Sequence, residues 1–326
     1  MASEILLTAV SGELNAGYDE REVSPDMAPV LTEPVVNSPL ATQLVRAATT
    51  GRPQDLLALL KSSATDELEE CLEEMFEEEK VFANASCLWV AIWNIGEEHK
   101  RDAVRPEGPV GGGGGSGIQR EPELEACVEL LLDFGADPNL LGSLSTTSRF
   151  STDGFSWVAF SPLLLACWYG LDRIARLLLK AGAETDYDTI VWTPLTLACR
   201  DGHYRCVQAL LDATAAVDRA DADDLTPLMW ACKESSHQEG QDQCAALLLK
   251  AGAKVNYAAS KQNGVTALMT AALNGCEGCV RMLIDAGAAI DQQDDDGHTA
   301  LVHASEGGHK ACVRMLLEAG AVPSTW

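Results

Sequence analysis

Apolar and polar positions alternate in two coupled rhythms through the second half of the chain. A short, almost wholly apolar segment recurs as SPLLLAC at 161–167, TPLTLAC at 193–199, TPLMWAC at 226–232, TALMTAA at 266–272 and TALVHAS at 299–305. Each is followed by a segment with apolar residues at helical spacing, ending in a pair such as Leu178–Leu179, Leu210–Leu211, Leu248–Leu249, Leu283–Ile284 or Leu316–Leu317. Residues 266–298 map onto 299–326 at a shift of 33, with Thr266 on Thr299, Leu268 on Leu301, Cys279 on Cys312 and Gly287 on Gly320. The leucines at the third position, Leu163, Leu195, Leu228, Leu268 and Leu301, are separated by steps of 32, 33, 40 and 33. A fixed period of this size predicts a stack of helix–turn–helix units, each too small to bury its apolar face except against a neighbour.

The punctuation of each unit agrees with that prediction. Thr or Ser precedes the first helix as its N-cap, and Pro162, Pro194 and Pro227 occupy the first helical position, where no N–H partner is needed. Ala267 and Ala300 stand there in the last two units. Ala198, Ala231, Ala271 and Ala304 allow close helix approach. Gly182, Gly252, Gly287 and Gly320 follow second helices as left-handed caps. The long step has a visible source: KESSHQEGQDQ, between Cys232 and Cys244, reads as a polar lengthening of the inter-helix turn. With its T-P-L signature, two helices and a turn, this unit resembles the ankyrin repeat family. The resemblance implies an all-α ankyrin-repeat solenoid of stacked helix–turn–helix units with hairpin loops. Clear repeats are expected at 161–192, 193–225, 226–265, 266–298 and 299–326.

The resemblance is weaker over 41–160, where two degenerate units are expected within a repeat domain spanning 39–326. LVRAATTGRPQDLLALL at 44–60 fits one helix pair. SCLWVAIWNIG at 86–96 and EPELEACVELLLDFGADPN at 121–139 fit the two helices of another, separated by a Gly-rich flexible insertion at 97–120. A second insertion at 140–160 enlarges the next loop. Residues 66–80 predict a helix with one apolar stripe, Leu68, Cys71, Leu72, Met75 and Phe76, and nine carboxylates against one Lys elsewhere. Residues 1–38, rich in Pro and acid around a single Arg21, read as a disordered acidic tail.

Charge narrows the range of partners. With 23 basic and 49 acidic side chains the formal net charge is −26. Nucleic acid is disfavoured, because phosphate binding requires clustered cations, and anionic membrane surfaces are disfavoured likewise. No apolar run approaches the roughly 18 residues of a membrane span, so no membrane insertion is expected. The eleven cysteines fall mostly on apolar helical positions, consistent with free thiols in the cytoplasm, with the nucleus as the alternative.

No catalytic, cofactor or metal set is expected. Cys276-x-x-Cys279 lacks the second pair a structural zinc site needs. Cys279 shares its repeat phase with Cys206, Cys244 and Cys312, whereas Cys276 falls in an exposed turn as a reactive candidate. Asp294–Asp296 are contiguous, unlike the alternating ligands of a calcium loop, and read as solvated hairpin acids. His203 and His309 are expected to order turns, and His303 has no evident catalytic partner. The expected function is therefore a non-catalytic scaffold or adaptor that binds a protein of basic character. The alternative is a regulatory or inhibitory subunit of an enzyme acting through the acidic helix 66–80. In ankyrin repeat proteins, partners contact hairpin tips and the inner faces of first helices. By repeat phase this implies Trp168, Tyr169, Trp192, Arg200, Asp201, Asp223, Asp224, Leu225, Asp295, Asp296 and His298 as partner-facing residues, with Trp168, Tyr169 and Trp192 as an aromatic cluster and Asp186, Asp188 and Asp221 adding to a negative rim.

Overall fold

Local capping chemistry sets the start of three of the five clear repeats. A computed structural model describes residues 39–49, 52–62, 77–78, 82–83, 88–89, 91–93, 95–96, 121–146, 156–186, 192–233 and 238–323. The acidic tail 1–38, the Gly-rich insertion 97–120 and most of the stretch 66–80 lie outside them. The chain divides into two compact units, one of residues 1–95 and 109–162 and the other of 96–108 and 163–326.

In the first unit, α1 (Pro39–Thr49), α2 (Pro53–Ser62) and α3 (Glu121–Asp133) pack together. Their shared interior includes Leu44, Ala48, Leu56, Leu60, Cys127, Val128 and Leu131, all almost fully buried. The chain is also helical at 88–89, 91–93 and 95–96, within the segment read as a first helix. Trp89 anchors that segment. Its ring lies against Gly142 and stacks on Trp93 at 5.8 Å, and its Nε1–H donates to the Phe160 carbonyl at 2.8 Å.

Two expectations change here. The insertion 140–160 is not a plain loop, because β3 (Gly142–Thr146) and β4 (Ser156–Phe160) form an antiparallel hairpin. β1 (Glu77–Glu78) and β2 (Phe82–Ala83) extend it to a four-stranded sheet in the order β1-β2-β3-β4. Of the helix expected over 66–80, only Glu77 and Glu78 are among the described residues, and they form β1 instead. The apolar stripe of that helix ends at Phe76, and beyond it backbone pairing with β2 satisfies groups that a helix with no apolar face would leave to water.

The second unit is the repeat stack. Its first helices are α4 (Pro162–Tyr169), α6 (Pro194–Arg200), α8 (Pro227–Ala231), α10 (Ala267–Asn274) and α12 (Ala300–Glu306). Its second helices are α5 (Asp172–Lys180), α7 (Tyr204–Asp212), α9 (Gln238–Lys250), α11 (Glu277–Asp285) and α13 (Lys310–Glu318). From α6 to α12, each first helix packs on the next, and the second helices do the same from α5 to α13. Leu163, Leu195, Leu228, Leu268 and Leu301 are all buried, as are Leu178, Leu210, Leu248, Leu283 and Leu316 in the other row. Each such leucine contributes roughly 1.5–3 kcal/mol through burial.

Thr193 caps α6 reciprocally: its hydroxyl accepts from the Thr196 amide at 3.0 Å, and its own amide donates to Thr196 Oγ1 at 2.9 Å. Thr226 and Thr266 accept from the third helical amide at 3.3 Å, whereas Thr299 makes no side-chain cap bond. Between hairpins, Asp186 accepts from the Ala216 amide (3.2 Å), Asp218 from Lys254 (2.8 Å), Asn256 from Ala289 (2.8 Å) and Asp291 from Val322 (2.9 Å). One short acceptor per unit thus ties each hairpin base to the next.

The polar insertion after Cys232 also departs from expectation. Its second half is helical, so α9 has 13 residues where α7 and α11 each have 9. The added turn settles on the end of α6: Gln241 Nε2 donates to the Arg200 carbonyl at 3.0 Å, and Gly240 lies against the Gly202 carbonyl. A Cβ at 240 would overlap that oxygen, so glycine serves here for close approach.

Two substitutions test this account by their signs. At the position where Gly182, Gly252, Gly287 and Gly320 adopt positive φ after their helices, the second repeat holds Thr214 at φ 63°. A β-branched residue in that region is strained by about 1–2 kcal/mol, so Thr214→Gly should raise the urea midpoint by the equivalent of about 1 kcal/mol. Gly240→Ala, normally a gain inside a helix, should instead cost about 1–3 kcal/mol in the same melts through overpacking.

Candidate functional site

On the repeat stack, the residues named in advance divide into three groups. Tyr169 does not face outward. It is 3% exposed, with its ring covering Gly96. It ends α4 just before Gly170, which turns the chain at φ 72°. Trp168, stacked on it at 5.5 Å, stays half-buried. The expected cluster of Trp168, Tyr169 and Trp192 is therefore replaced by another.

Trp192 pairs with Trp230 of the next repeat, ring centroids 5.0 Å apart and tilted by 55°. The Arg200 guanidinium lies 4.9 Å from the Trp192 ring and the Lys233 ammonium 4.6 Å from the Trp230 ring. Arg200 is held in place by a bidentate pair to Asp201, both bonds 2.8 Å. Two indoles, each with a cation on its face, thus bridge adjacent repeats on the first-helix side, with Trp192, Arg200, Asp201 and Lys233 half-buried. Sequence reasoning found Trp192, Arg200 and Asp201 by phase but passed over Trp230 and Lys233. Trp230 reads as one more apolar letter of TPLMWAC; only its packing distinguishes it.

The hairpin acids are less free than a negative rim requires. Asp221 turns back on its own hairpin, with Oδ1 accepting from the Asp223 and Leu225 amides at 3.0 Å each and Oδ2 from Trp230 Nε1 at 2.6 Å. Burial pushes its carboxyl up to about 6, despite the bonds from Leu225 and Trp230 that favour the charged form. Burial also raises Asp223 above the usual carboxylate range, against the pull of Lys233 and Lys261.

Asp224, at φ 66°, reaches the next hairpin. Its Oδ1 accepts from the Tyr257 hydroxyl at 2.5 Å, and its Oδ2 from the Ser260 amide at 2.6 Å and hydroxyl at 2.8 Å. Burial alone would raise this carboxyl; the Tyr257 and Ser260 bonds outweigh it and hold it low. Leu225 is half-buried, and Asp188 lies outside the described residues.

In the last hairpin, Asp295 and Asp296 are exposed as expected, and Asp296 accepts from Asn263 Nδ2 of the preceding hairpin. Asp294 is not a solvated acid: its residue is 8% exposed. It accepts from the Asp296 amide at 3.1 Å and the His298 amide at 2.8 Å through Oδ1, and meets His303 Nε2 at 2.8 Å through Oδ2. His303 therefore has a partner that spacing did not reveal, because the two residues sit on different elements. His298 is half-buried, its ring edge-on to His303 at 5.8 Å.

Cys276, expected in an exposed turn, is 3% exposed at the N-cap of α11. Its companion Cys279 points elsewhere, with its Sγ 3.4 Å from Asp242 Oδ1. All nine described cysteines are buried free thiols. His203 and His309 do lie on turns, their rings against Gly170 and Gly275, and His203 Nε2 is 3.3 Å from the Trp168 carbonyl.

A family model described as "Ankyrin repeats (3 copies)" matches residues 163–259 and again 238–325. The matched residues span half of the chain. No curated protein matches it. No helix among the described residues is long and apolar enough to cross a membrane.

The raised Asp221 carboxyl gives a signed pH dependence. Its folded pKa of about 6 exceeds the ordinary 3.8. Folding therefore favours the protonated form, and the contribution of this group is fully present below pH 3.8 and is lost as pH rises through about 6. The carboxyl carbon of Asp221 should titrate by NMR near pH 6. A midpoint near 4 would contradict the burial argument.

Proposed function

Because this chain belongs to the ankyrin repeat family, whose repeats are protein-interaction modules and typically non-enzymatic, we propose that it is a non-catalytic scaffold or adaptor. It binds a protein partner through the first-helix side and hairpin tips of repeats 161–298. The observation that carries this reading is the Trp192–Trp230 pair with Arg200 and Lys233 on its faces. Trp230 is 6% exposed and backs the half-buried Trp192 from within, so the Trp192 indole and a guanidinium already held in place by Asp201 lose little freedom when a partner covers them, the condition under which a few residues dominate an interface.

The partner has basic character. Formal charge is −26, and Asp295 and Asp296 remain exposed at a tip. Such acids act mainly on association rate, while the indoles set residence time. The nine buried free thiols support residence in a reducing compartment, the cytoplasm in this reading.

The test is affinity capture from cell extract with the full chain and with Trp192→Ala/Arg200→Ala, after circular dichroism has shown equal helicity. Loss of a central anchor costs at least about 2 kcal/mol, so partner recovery should fall more than about tenfold. Equal recovery from both proteins would reject this face.

A further inference from the structure

The hairpin of 291–299 and the helix α12 after it stand at the same place in their repeat as the hairpin of 218–226 and α8, and two of the positions at which they differ change the chemistry around a shared aspartate. Asp294 stands where Asp221 does, and it does the same work on its loop: Oδ1 accepts two amides of its own hairpin, and Oδ2 meets a ring nitrogen nine residues later. In the earlier repeat that nitrogen is the indole Nε1 of Trp230, which can only donate, and the residue at the other equivalent place is Leu225. In the later repeat both positions are histidine, His303 and His298. Neither imidazole is needed to close the loop, since tryptophan and leucine serve in the sibling.

The two histidines converge on the carboxylate. One ligand atom from each of Asp294, His298 and His303 lies within 4.8 Å of the others. The Asp294 and His303 side chains are only 2% and 12% exposed. Surrounding groups support both. The two amides hold Oδ1 of Asp294 and so leave Oδ2 to the imidazoles. His303 Nδ1 lies 3.9 Å from Glu306 Oε2, close enough for that carboxylate to move in behind the ring when Nε2 takes an ion. A carboxylate behind one imidazole nitrogen, with the other nitrogen at the ligand position, is the usual outer support of a metal-binding histidine.

We propose that Asp294, His298 and His303 form a binding site for a divalent transition metal of the zinc class. Two imidazoles and one carboxylate suit zinc and its neighbours rather than calcium or magnesium, which take oxygen ligands. The ion takes the place of the proton that closes the His303 Nε2–Asp294 Oδ2 contact, that proton passes to solvent, and water completes the coordination. Because the ligands come from both the hairpin and α12, the ion ties the tip of the last hairpin to the first helix beneath it. This proposal does not depend on the partner-binding reading above.

The test titrates Zn²⁺ alone into the full chain by calorimetry, with imidazole NMR of the histidines recorded in parallel. The comparison protein is His298→Leu/His303→Trp, which places the sibling's side chains at these two positions and therefore retains the donor that closes the loop. A second comparison, His298→Ala, leaves the His303–Asp294 bond in place. Wild type should take up one Zn²⁺ with shifts at His298 and His303. Loss of ligands should weaken that uptake by at least the roughly tenfold seen when only supporting groups are removed. Equal affinity in wild type and the double variant, no uptake by wild type, or shifts confined to other histidines would each overturn the site.

Discussion

Everything in the repeat stack depends on apolar faces that no single repeat can cover. A helix pair of this size buries its leucines only when another pair lies against it, so stability comes from the contacts between neighbours. The two rows of buried leucines, Leu195 to Leu301 and Leu178 to Leu316, are the physical form of that constraint. The small residues between them, Ala198, Ala231, Ala271 and Ala304, set how closely the rows approach. The acceptors at the hairpin bases add direction: each points into the next unit at the same place, so the hairpins are stitched as regularly as the helices are stacked.

Polar groups on this scaffold are placed by the same repetition, and differences between repeats stand out against it. A buried aspartate with a ring nitrogen nine residues later appears twice, as Asp221 with Trp230 and Asp294 with His303. In the first case the indole is drawn into an aromatic pair with Trp192, and the loop becomes part of a hydrophobic anchor. In the second the imidazole meets another imidazole, and the loop acquires metal-ligand chemistry. One backbone arrangement thus supports two kinds of recognition, separated by the choice of side chain at two positions. Fold alone predicts neither, since function in such scaffolds resides in what the repeated positions carry.

The repeat architecture was legible in the sequence because its period is long, regular and tied to chemistry at fixed places. Thr193, Thr226 and Thr266 cap as their spacing implied, and Gly182, Gly252, Gly287 and Gly320 take the left-handed turn expected of them. The strands at 142–146 and 156–160 were not read, because a single hairpin inside an insertion offers no period to recognise. The helical half of KESSHQEGQDQ was missed because a polar, Gly-containing stretch looks like a turn until a neighbouring helix end gives it something to pack on.

By itself the sequence determined which leucines of the repeats face the interior, where Thr193, Thr226 and Thr266 cap their helices, and that the units must stack, since these follow from local periodicity and backbone chemistry. Only the tertiary structure decided which surface side chains meet. Tyr169 turned inward although Trp168 beside it did not, Trp230 joined Trp192 from a different repeat, and Asp294 found His303 across the boundary between a hairpin and a helix. Those placements depend on how one element lies against another, whether in the next repeat, as for Trp192 and Trp230, or nine residues along, as for Asp294 and His303, and a pattern read along one dimension contains positions but not the gaps between them.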